Sequence, residues 1–172
     1  DLLSRGLTET EVANMEALGY KSTCAEESVA IARKLLKRGC RLEGVPGFFM
    51  NYHGDWEIAF YQKNNGYLCP VWSDEGLLIA FQIRLDVPYQ KRKYVWLSSA
   101  KMEKGCSPGS PVSFSGVLNS PVVYVTEGVL KAEAAYQRTG HPYLGNPGVS
   151  AYKELELALN RLKAHGVKVV IE

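Results

Sequence analysis

The chain has 172 residues, of which 46% are hydrophobic and 22% charged, and its formal net charge is +2. This composition is typical of a globular protein with one good core or two small lobes, and the charge is too small to indicate a nucleic-acid partner by itself. No apolar run approaches the roughly 20 residues of a membrane helix, and no secretory signal opens the chain. We therefore expect a cytoplasmic protein without a membrane partner.

The first segment, residues 1–42, is predicted to be helical. The pattern Thr8-x-x-Glu11 is typical of a capping box that begins a helix, and Gly19 ends that helix. Its apolar residues at helical spacing are Val12, Met15 and Leu18. A second helix over about residues 25–38 ends before Gly39, and its predicted buried face consists of Val29, Ala32, Leu35 and Leu36.

Two groups of basic residues could contact an anionic partner. One lies on the second helix and its exit, at Arg33, Lys34, Lys37, Arg38 and Arg41, and the other is the run Lys91-Arg92-Lys93. For each group taken alone, a solvated surface is the preferred interpretation. The cysteines and histidines have no metal-site spacing, so we expect no zinc, structural histidines and reduced, buried thiols at Cys24, Cys40, Cys69 and Cys106.

The second segment, residues 43–118, changes to a period of two, which is typical of strands. The sequence GYLCPVW, the turn SDEG and the sequence LLIAFQIRLD predict a hairpin, and YVWLSS predicts another strand. The Gly/Ser/Pro-rich sequence KGCSPGSPVSFSG predicts a loop. In the hairpin's second strand one predicted face is apolar, with Leu77, Ile79, Phe81, Ile83 and Leu85. The other face is solvated or a binding surface, with Ala80, Gln82, Arg84 and Asp86.

The third segment, residues 119–172, predicts the order β-α-β-α-β. The strands are Val122–Thr126, Tyr143–Leu144 and Val167–Ile171, and the helices cover about Val129–Arg138 and Ala151–His165. Ser150 is a predicted N-cap, and the predicted buried stripe of the last helix is Tyr152, Leu155, Leu159 and Leu162. Such alternation predicts a parallel sheet with right-handed crossovers, so the fold class is α/β, with an α+β N-terminal lobe.

Glu127 lies at the point where an apolar strand ends and a helix begins. In an open parallel sheet, ligands gather at the carboxyl ends of the strands, where the loop GNPGVS and Glu172 also lie. Mg²⁺ prefers carboxylate oxygens, so Glu127 could belong to a metal site. It could equally be an acid that stabilises the N-terminus of the next helix by roughly 0.3–1 kcal/mol. The spacing alone leaves both interpretations open.

The sequence VYVTEGVLKAEAAYQRTGHPYLGNPGVSA, followed by GVKVVIE, resembles a Toprim domain. The Toprim motif elements it contains are Glu127-Gly128 after a strand and Leu144–Gly148 at a Gly-containing turn. The preceding sequences, RGLTETEVANMEALGYKS and GYLCPVWSDEGLLIAFQIRLD, are similar to the core of DnaG-type primases, so the resemblance covers nearly the whole chain. It is nearest to primase-like proteins of uncharacterised function on bacterial mobile elements and phages.

The resemblance implies a role for particular residues. Glu127 would be the catalytic acid and, with Glu172, a ligand of Mg²⁺ or Mn²⁺. Gly128 and Gly145 would let the backbone approach phosphate or metal. Lys131, which departs from the family pattern, could hold a phosphate or be a solvated helix residue. Positions that would face template and nucleotide are Arg84, Lys93, Ser98 and Ser99. The implied activity is primer synthesis on single-stranded DNA from nucleotide triphosphates, with a replicative helicase as a further candidate partner.

Features that depart from the family pattern motivate two alternatives. Lys131 stands where bacterial primases usually carry an Asp. The Toprim pattern also has an Asp-x-Asp pair at the end of the next strand, and no such pair follows Ile171 within the chain. Because a strand ends the chain, we expect a fragment that is inactive by itself and has its remaining acids elsewhere. The alternatives are a nucleic-acid-binding module without catalysis and a Toprim nuclease.

Overall fold

The computed structural model describes residues 2–148 and 151–171, and it confirms a mixed α/β fold. Within those ranges the four α-helices are α1 (Glu9–Ala17), α2 (Ser28–Lys37), α3 (Val129–Thr139) and α4 (Tyr152–Ala164). The strands are β1 (Phe48–Met50), β2 (Trp56–Ile58), β3 (Gly66–Trp72), β4 (Leu78–Tyr89), β5 (Arg92–Trp96), β6 (Ser113–Ser115), β7 (Val122–Glu127), β8 (Tyr143–Asn146) and β9 (Lys168–Ile171). None of these helices has both the length and the apolarity of a membrane-spanning segment.

Contacts within the chain divide it into two units. The first unit comprises the described residues of Asp1–Tyr20, Cys69–Ile79 and Ser110–Glu172, and the second comprises Lys21–Leu68 and Ala80–Gly109. Strands β3 and β4 contribute residues to both, and with β5 they form a three-stranded sheet in the order β3-β4-β5. The three-segment division predicted from sequence, with boundaries after residues 42 and 118, stays a prediction.

The first unit contains a four-stranded sheet in the order β6-β8-β7-β9. Strand β7 pairs in parallel with β8 and with β9, so the predicted β-α-β-α-β parallel sheet is confirmed. Strand β6 adds to β8 in antiparallel orientation, although its residues were predicted to be a loop. That prediction was wrong because the strand is three residues long and has only one apolar side chain, Phe114, so the sequence shows no alternation. The backbone pairing with β8 is what makes it a strand.

The core of the first unit lies between this sheet and α4. Val123 and Val125 of β7 and Leu144 of β8 pack against Ala158 and Leu162 of α4. Leu155 and Leu159 pack on this core as predicted.

Tyr152 was also predicted to be buried, but it is 62% exposed. It is the first residue of the helix, and helical side chains lean towards the N-terminus, so its ring projects beyond the stripe that covers the sheet. The predicted N-cap Ser150 lies outside the described residues.

Helix α1 begins at the predicted capping box. The Thr8 hydroxyl accepts from the Glu11 N–H at 3.2 Å, and the Glu11 carboxylate accepts from the Thr8 N–H at 2.6 Å. The same carboxylate lies 3.5 Å from the guanidinium of Arg138 at the end of α3. Asn14 donates to Gln137 at 3.1 Å, so α1 is attached to α3 by polar contacts.

In the second unit, α2 packs on the hairpin of β1 and β2. Ala32 of α2 belongs to a buried cluster with Phe48, Phe49, Ile58 and Leu97. Leu36 was predicted to face this core, but it is exposed, while Ile31 and Leu35 pack on it. The face of α2 that packs on the core is therefore rotated from the predicted one, towards Ile31 and away from Leu36.

Of the two predicted faces of β4, only the apolar one is found, and only in the middle of the strand. Ile83 and Leu85 are buried as predicted, whereas Leu77 and Ile79 are exposed. Gln82, on the face predicted to be solvated, is only 5% exposed. The strand is longer than the core that it covers, so its beginning projects beyond that core and its centre is covered on both faces.

Glu133 is a carboxyl group buried inside the first unit, and it is only 3% exposed. It lies on α3, one turn after the buried residues Val129 and Leu130. Its Oε1 accepts from Gln137 Nε2 at 2.8 Å. Burial raises the pKa of this carboxyl above the ordinary value of 4.5, although hydrogen bonds from Gln137 and Ser115 oppose the shift.

Replacing Glu133 by Gln is therefore expected to stabilise the protein at pH 7. The unfolded chain loses the Glu133 proton near pH 4.5, while the folded protein holds it to a higher pH, so the free energy of unfolding falls as the pH rises from 4.5 to the raised pKa and the penalty is complete above it. Glu133→Gln removes that penalty. Its gain in the free energy of unfolding should be present at pH 7 and disappear below pH 4.5. Urea denaturation across this range measures it, with Glu16→Gln on the exposed surface of α1 as the control.

A gain that is equal at every pH, or a loss at pH 7, would contradict this assignment of a buried, titrating carboxyl.

Candidate functional site

Glu127 is the last residue of β7 and lies at the carboxyl edge of the parallel strands. It pairs in register with Asn146, the last residue of β8. Its side chain is 83% exposed, so the carboxylate faces solvent and is accessible to a ligand. This is the position predicted from the sequence, although the structure does not test its chemical role.

Gly128 turns the chain from β7 into α3. Its N–H donates to the Asn146 carbonyl at 2.7 Å, and its φ of +91° lies in a region that favours glycine. Asn146 also accepts a bond from the Gly148 N–H through its side chain at 3.5 Å. Asn146 was not singled out from the sequence as a site residue, and its only signal was its place between Gly145 and Pro147 at a strand end.

Gly145 lets α3 pack closely on β8. A Cβ atom at this residue would lie 2.9 Å from the Ala132 Cβ, 3.0 Å from the Gly128 carbonyl oxygen and 3.1 Å from the Val129 Cα. Two of these three atoms belong to the backbone, which cannot move as a side chain can. The requirement for glycine is thus explained by helix packing, and the predicted approach of phosphate or metal at Gly145 stays a prediction.

Lys131 forms an ion pair with Glu127. Its Nζ lies 3.5 Å from Glu127 Oε2, one turn along α3, and both side chains are largely exposed. Glu127 precedes the helix, so this is an exposed pair between a strand end and the first turn of α3, and such a pair contributes only about 0.2–1 kcal/mol. Glu127 can therefore exchange Lys131 for another partner at little cost.

The described residues do not complete a divalent-metal site. Within residues 2–148 and 151–171, no three Asp, Glu, His or Cys residues come together as potential ligands. Mg²⁺ takes several oxygen ligands, and the Glu127 carboxylate already contacts a cation. The second predicted ligand, Glu172, lies outside the described residues, so the Mg²⁺ or Mn²⁺ site stays a prediction. The four cysteines all lie in the described ranges and none is in a disulfide; Cys69 is buried, but Cys40 is exposed, contrary to the prediction that all are buried.

The remaining predicted site residues belong to the second unit. Arg84 and Tyr94 are register partners on β4 and β5, and the guanidinium lies 5.3 Å from the centre of the Tyr94 ring. Arg84 Nη1 donates to the carbonyls of Leu85 at 3.0 Å and Lys93 at 3.3 Å. Arg84 is therefore held against its own hairpin, while the side chain of Lys93 is exposed.

The two predicted serines differ in accessibility. Ser99 is buried, and its hydroxyl donates to the Phe48 carbonyl at 2.7 Å and accepts from the Cys106 N–H at 3.2 Å. Those bonds hold the loop from residue 99 to residue 106. Ser98 is half-buried and accepts from the Ala100 N–H at 3.5 Å. The nucleotide-binding role of both serines stays a prediction. For Ser99, the hydrogen bonds within the fold already account for a hydroxyl group at this position.

No family model and no curated protein matches this sequence. Among solved structures, the chain is similar to the RNA polymerase domain of Mycobacterium tuberculosis primase DnaG in complex with double-stranded DNA. The TM-score is 0.68 and the sequence identity 16%, and the match covers 99% of this chain and 53% of that chain. The zinc-binding and RNA polymerase domains of the Aquifex aeolicus primase follow with a TM-score of 0.60 and 14% identity over 99% of this chain and 47% of theirs.

A DnaG primase catalytic domain bound to single-stranded DNA gives a TM-score of 0.53 and 15% identity, with 99% of this chain and 53% of that chain covered. The chain therefore has the fold of the primase catalytic core, and it spans about half the length of these structures. At such identities the similarity establishes the fold alone.

The substitution Gly145→Ala is expected to lower the free energy of unfolding by about 1–3 kcal/mol, because the new methyl group overpacks the contact between β8 and α3. The effect should be smaller in a chain that carries Ala132→Gly, since this change removes the nearest atom. Denaturant unfolding of the two single variants and the double variant gives the coupling energy. Strictly additive effects would show that the two positions are not in contact.

Proposed function

We propose that this chain is part of a primase-like DNA replication protein and that it binds single-stranded DNA. The proposal is supported chiefly by the primase-core fold, which extends over nearly the whole chain. Two of the similar structures hold DNA, one double-stranded and one single-stranded. The same proposal includes nucleotide triphosphates and a replicative helicase as partners. It also includes an origin in a bacterial mobile element or phage.

In the full-length protein, we propose that Glu127 takes part in Mg²⁺-dependent primer synthesis. Its carboxylate is exposed at the carboxyl edge of the sheet, where parallel α/β folds place their ligands. The ion pair with Lys131 is weak enough for Glu127 to change partners. Since the described residues do not form a metal site by themselves, activity requires ligands from the rest of the protein.

Glu127→Gln in the full-length protein is expected to reduce primer synthesis about a hundredfold or more, because an acidic group that acts on the reacting atoms contributes on that scale. Affinity for single-stranded DNA should change less than twofold, since Gln keeps the size of the side chain. Primer synthesis with labelled nucleotides and fluorescence anisotropy with a labelled oligonucleotide measure the two quantities. Glu156→Gln, which makes the same change at an exposed position of α4, is the matched control and should stay active.

Undiminished synthesis by Glu127→Gln would contradict the catalytic role of this residue. Strand cleavage that depends on Glu127, without primer synthesis, would instead indicate a Toprim nuclease.

The second candidate is a nucleic-acid-binding module without catalysis. It is favoured by the Glu127–Lys131 ion pair, which places an ammonium group 3.5 Å from the carboxylate expected to bind metal. It is also favoured by the lack of a group of three metal ligands among the described residues. Under this alternative, Mg²⁺ changes nothing chemically, and binding depends on Lys and Arg contacts with phosphates.

Both candidates predict that Lys93 contributes to DNA affinity through phosphate contact. When binding releases counterions, the logarithm of the association constant falls linearly with the logarithm of the salt concentration. On single strands the slope is about −0.7 per phosphate contact. Lys93→Ala should therefore make the slope shallower by about 0.7. The control is Lys153→Ala, at an exposed position of α4, which should leave the slope unchanged. Anisotropy titrations over a salt series measure this, and an unchanged slope for Lys93→Ala would remove Lys93 from the binding surface.

A further inference from the structure

The loop between β1 and β2 carries two aromatic rings that face solvent. Tyr52 is 91% exposed, although its ring is a large apolar group. The neighbouring His53 is also exposed, and its ring centre lies 3.8 Å from that of Tyr52, with the two planes tilted by 41°. Because Tyr52 stays almost fully exposed beside His53, the face of its ring that is turned away from the imidazole is open to a ligand.

Hydrogen bonds within the loop order its backbone. Asn51 Oδ1 accepts from the N–H groups of His53 and Asp55, each at 3.0 Å. The Asn51 N–H donates to the Asp55 carbonyl at 2.9 Å, and Asn51 Nδ2 donates to the Glu57 carboxylate at 3.0 Å. A side chain on a backbone that is already ordered loses less conformational entropy when it binds, so the loop presents Tyr52 in a form that favours binding.

Helix α2 runs alongside the hairpin of β1 and β2 towards this loop. At the start of α2, the Ser28 hydroxyl donates to Glu57 of β2 at 3.4 Å. Further along the helix, Arg33 Nη2 lies 3.1 Å from both carboxylate oxygens of Asp55. Moving along α2 in this order corresponds to moving along β2 towards Tyr52, by similar lengths of about 7.5 Å of helix and about 6.6 Å of strand. The turn of α2 after Arg33 therefore extends towards the loop.

That turn of α2 brings positive charge to the loop. Lys37 lies four residues after Arg33, on the same face of the helix, and its side chain is exposed. The two acids of the hairpin are already engaged, Asp55 with Arg33 and Glu57 with two hydrogen-bond donors. Lys37 thus supplies the charge that an anionic ligand at the loop would meet.

We propose that Tyr52, supported by His53, and Lys37 form a contact site for an unpaired base of single-stranded DNA and the adjoining phosphate. The base stacks on the open face of the Tyr52 ring, and the Lys37 ammonium contacts the phosphate. An aromatic ring for stacking beside a positive charge for the backbone is the combination that sequence-tolerant single-strand binding uses.

This inference rests on the proposed binding of single-stranded DNA and adds a contact surface to it. The site lies within the second unit and includes none of the residues predicted for template or nucleotide. It also gives a function to part of the basic group on α2, for which a solvated surface was the preferred interpretation of the sequence.

The test is fluorescence anisotropy with the full-length protein and a labelled single-stranded oligonucleotide. Tyr52→Ala is expected to weaken binding at least about fivefold, the lower end of what one stacked base contributes. Tyr52→Phe keeps a ring and should bind as the unmodified protein does. Because Tyr52 is so exposed, neither change removes much packing. Tyr152→Ala, at another exposed tyrosine, is the matched control and should leave the affinity unchanged.

An oligonucleotide that has abasic sites in place of its bases separates stacking from charge. The unmodified protein and Tyr52→Ala should bind it with equal affinity, because it offers no base to stack. Lys37→Ala should make the salt slope of binding shallower by about 0.7 on both oligonucleotides. Tyr52→Ala should leave that slope unchanged, since the tyrosine carries no charge.

The inference is overturned if Tyr52→Ala binds the oligonucleotide with bases as tightly as the unmodified protein does. If Lys93→Ala still makes the salt slope shallower in that case, the proposed function stands without this site. An equal loss on both oligonucleotides also overturns the inference, because the contact would not be with a base, and an unchanged slope in Lys37→Ala overturns the phosphate contact. If the unmodified protein binds no single-stranded DNA, the proposed function and this inference fail together.

Discussion

The close packing of α3 on β8 determines how the chain turns out of β7 and presents Glu127. Because Gly145 has no side chain, the first turn of α3 lies against the strand, and the Gly128 N–H reaches the Asn146 carbonyl at 2.7 Å. The chain therefore leaves β7 in a fixed direction, and Glu127 is held at the carboxyl edge of the sheet. A larger residue in β8 would displace α3 and with it the turn that presents the carboxylate.

Two acids, one just before helix α3 and one within it, have contrasting surroundings. Glu127 precedes the helix and faces water, where its ion pair with Lys131 contributes little and is easily exchanged. Glu133, about one turn after the first residue of α3, faces the interior, where burial disfavours its charge. The exposed acid is accessible to a ligand, while the buried one is bonded to Gln137 within the fold.

Local patterns predicted most of the elements correctly. The Thr8–Glu11 capping box and the alternation of strands and helices after residue 121 are encoded within a few neighbouring residues, so periodicity was sufficient to find them. Errors arose where the outcome depended on distant segments. Strand β6 exists because β8 offers it a pairing edge, and Gln82 and Leu36 are buried or exposed according to what covers them. No local pattern contains that information.

The sequence by itself determined the order of helices and strands in the parallel sheet and the place of Glu127 at a strand end, since both follow from short-range spacing. Only the tertiary structure decided why position 145 must be glycine, that Ser99 is committed to bonds inside the fold, and that Lys131 pairs with Glu127. It also decided that the acid at position 133 lies in the interior, although its spacing from Val129 was a visible signal. The physical reason is that packing distance and burial depend on residues remote in the chain, whereas periodicity records only near neighbours.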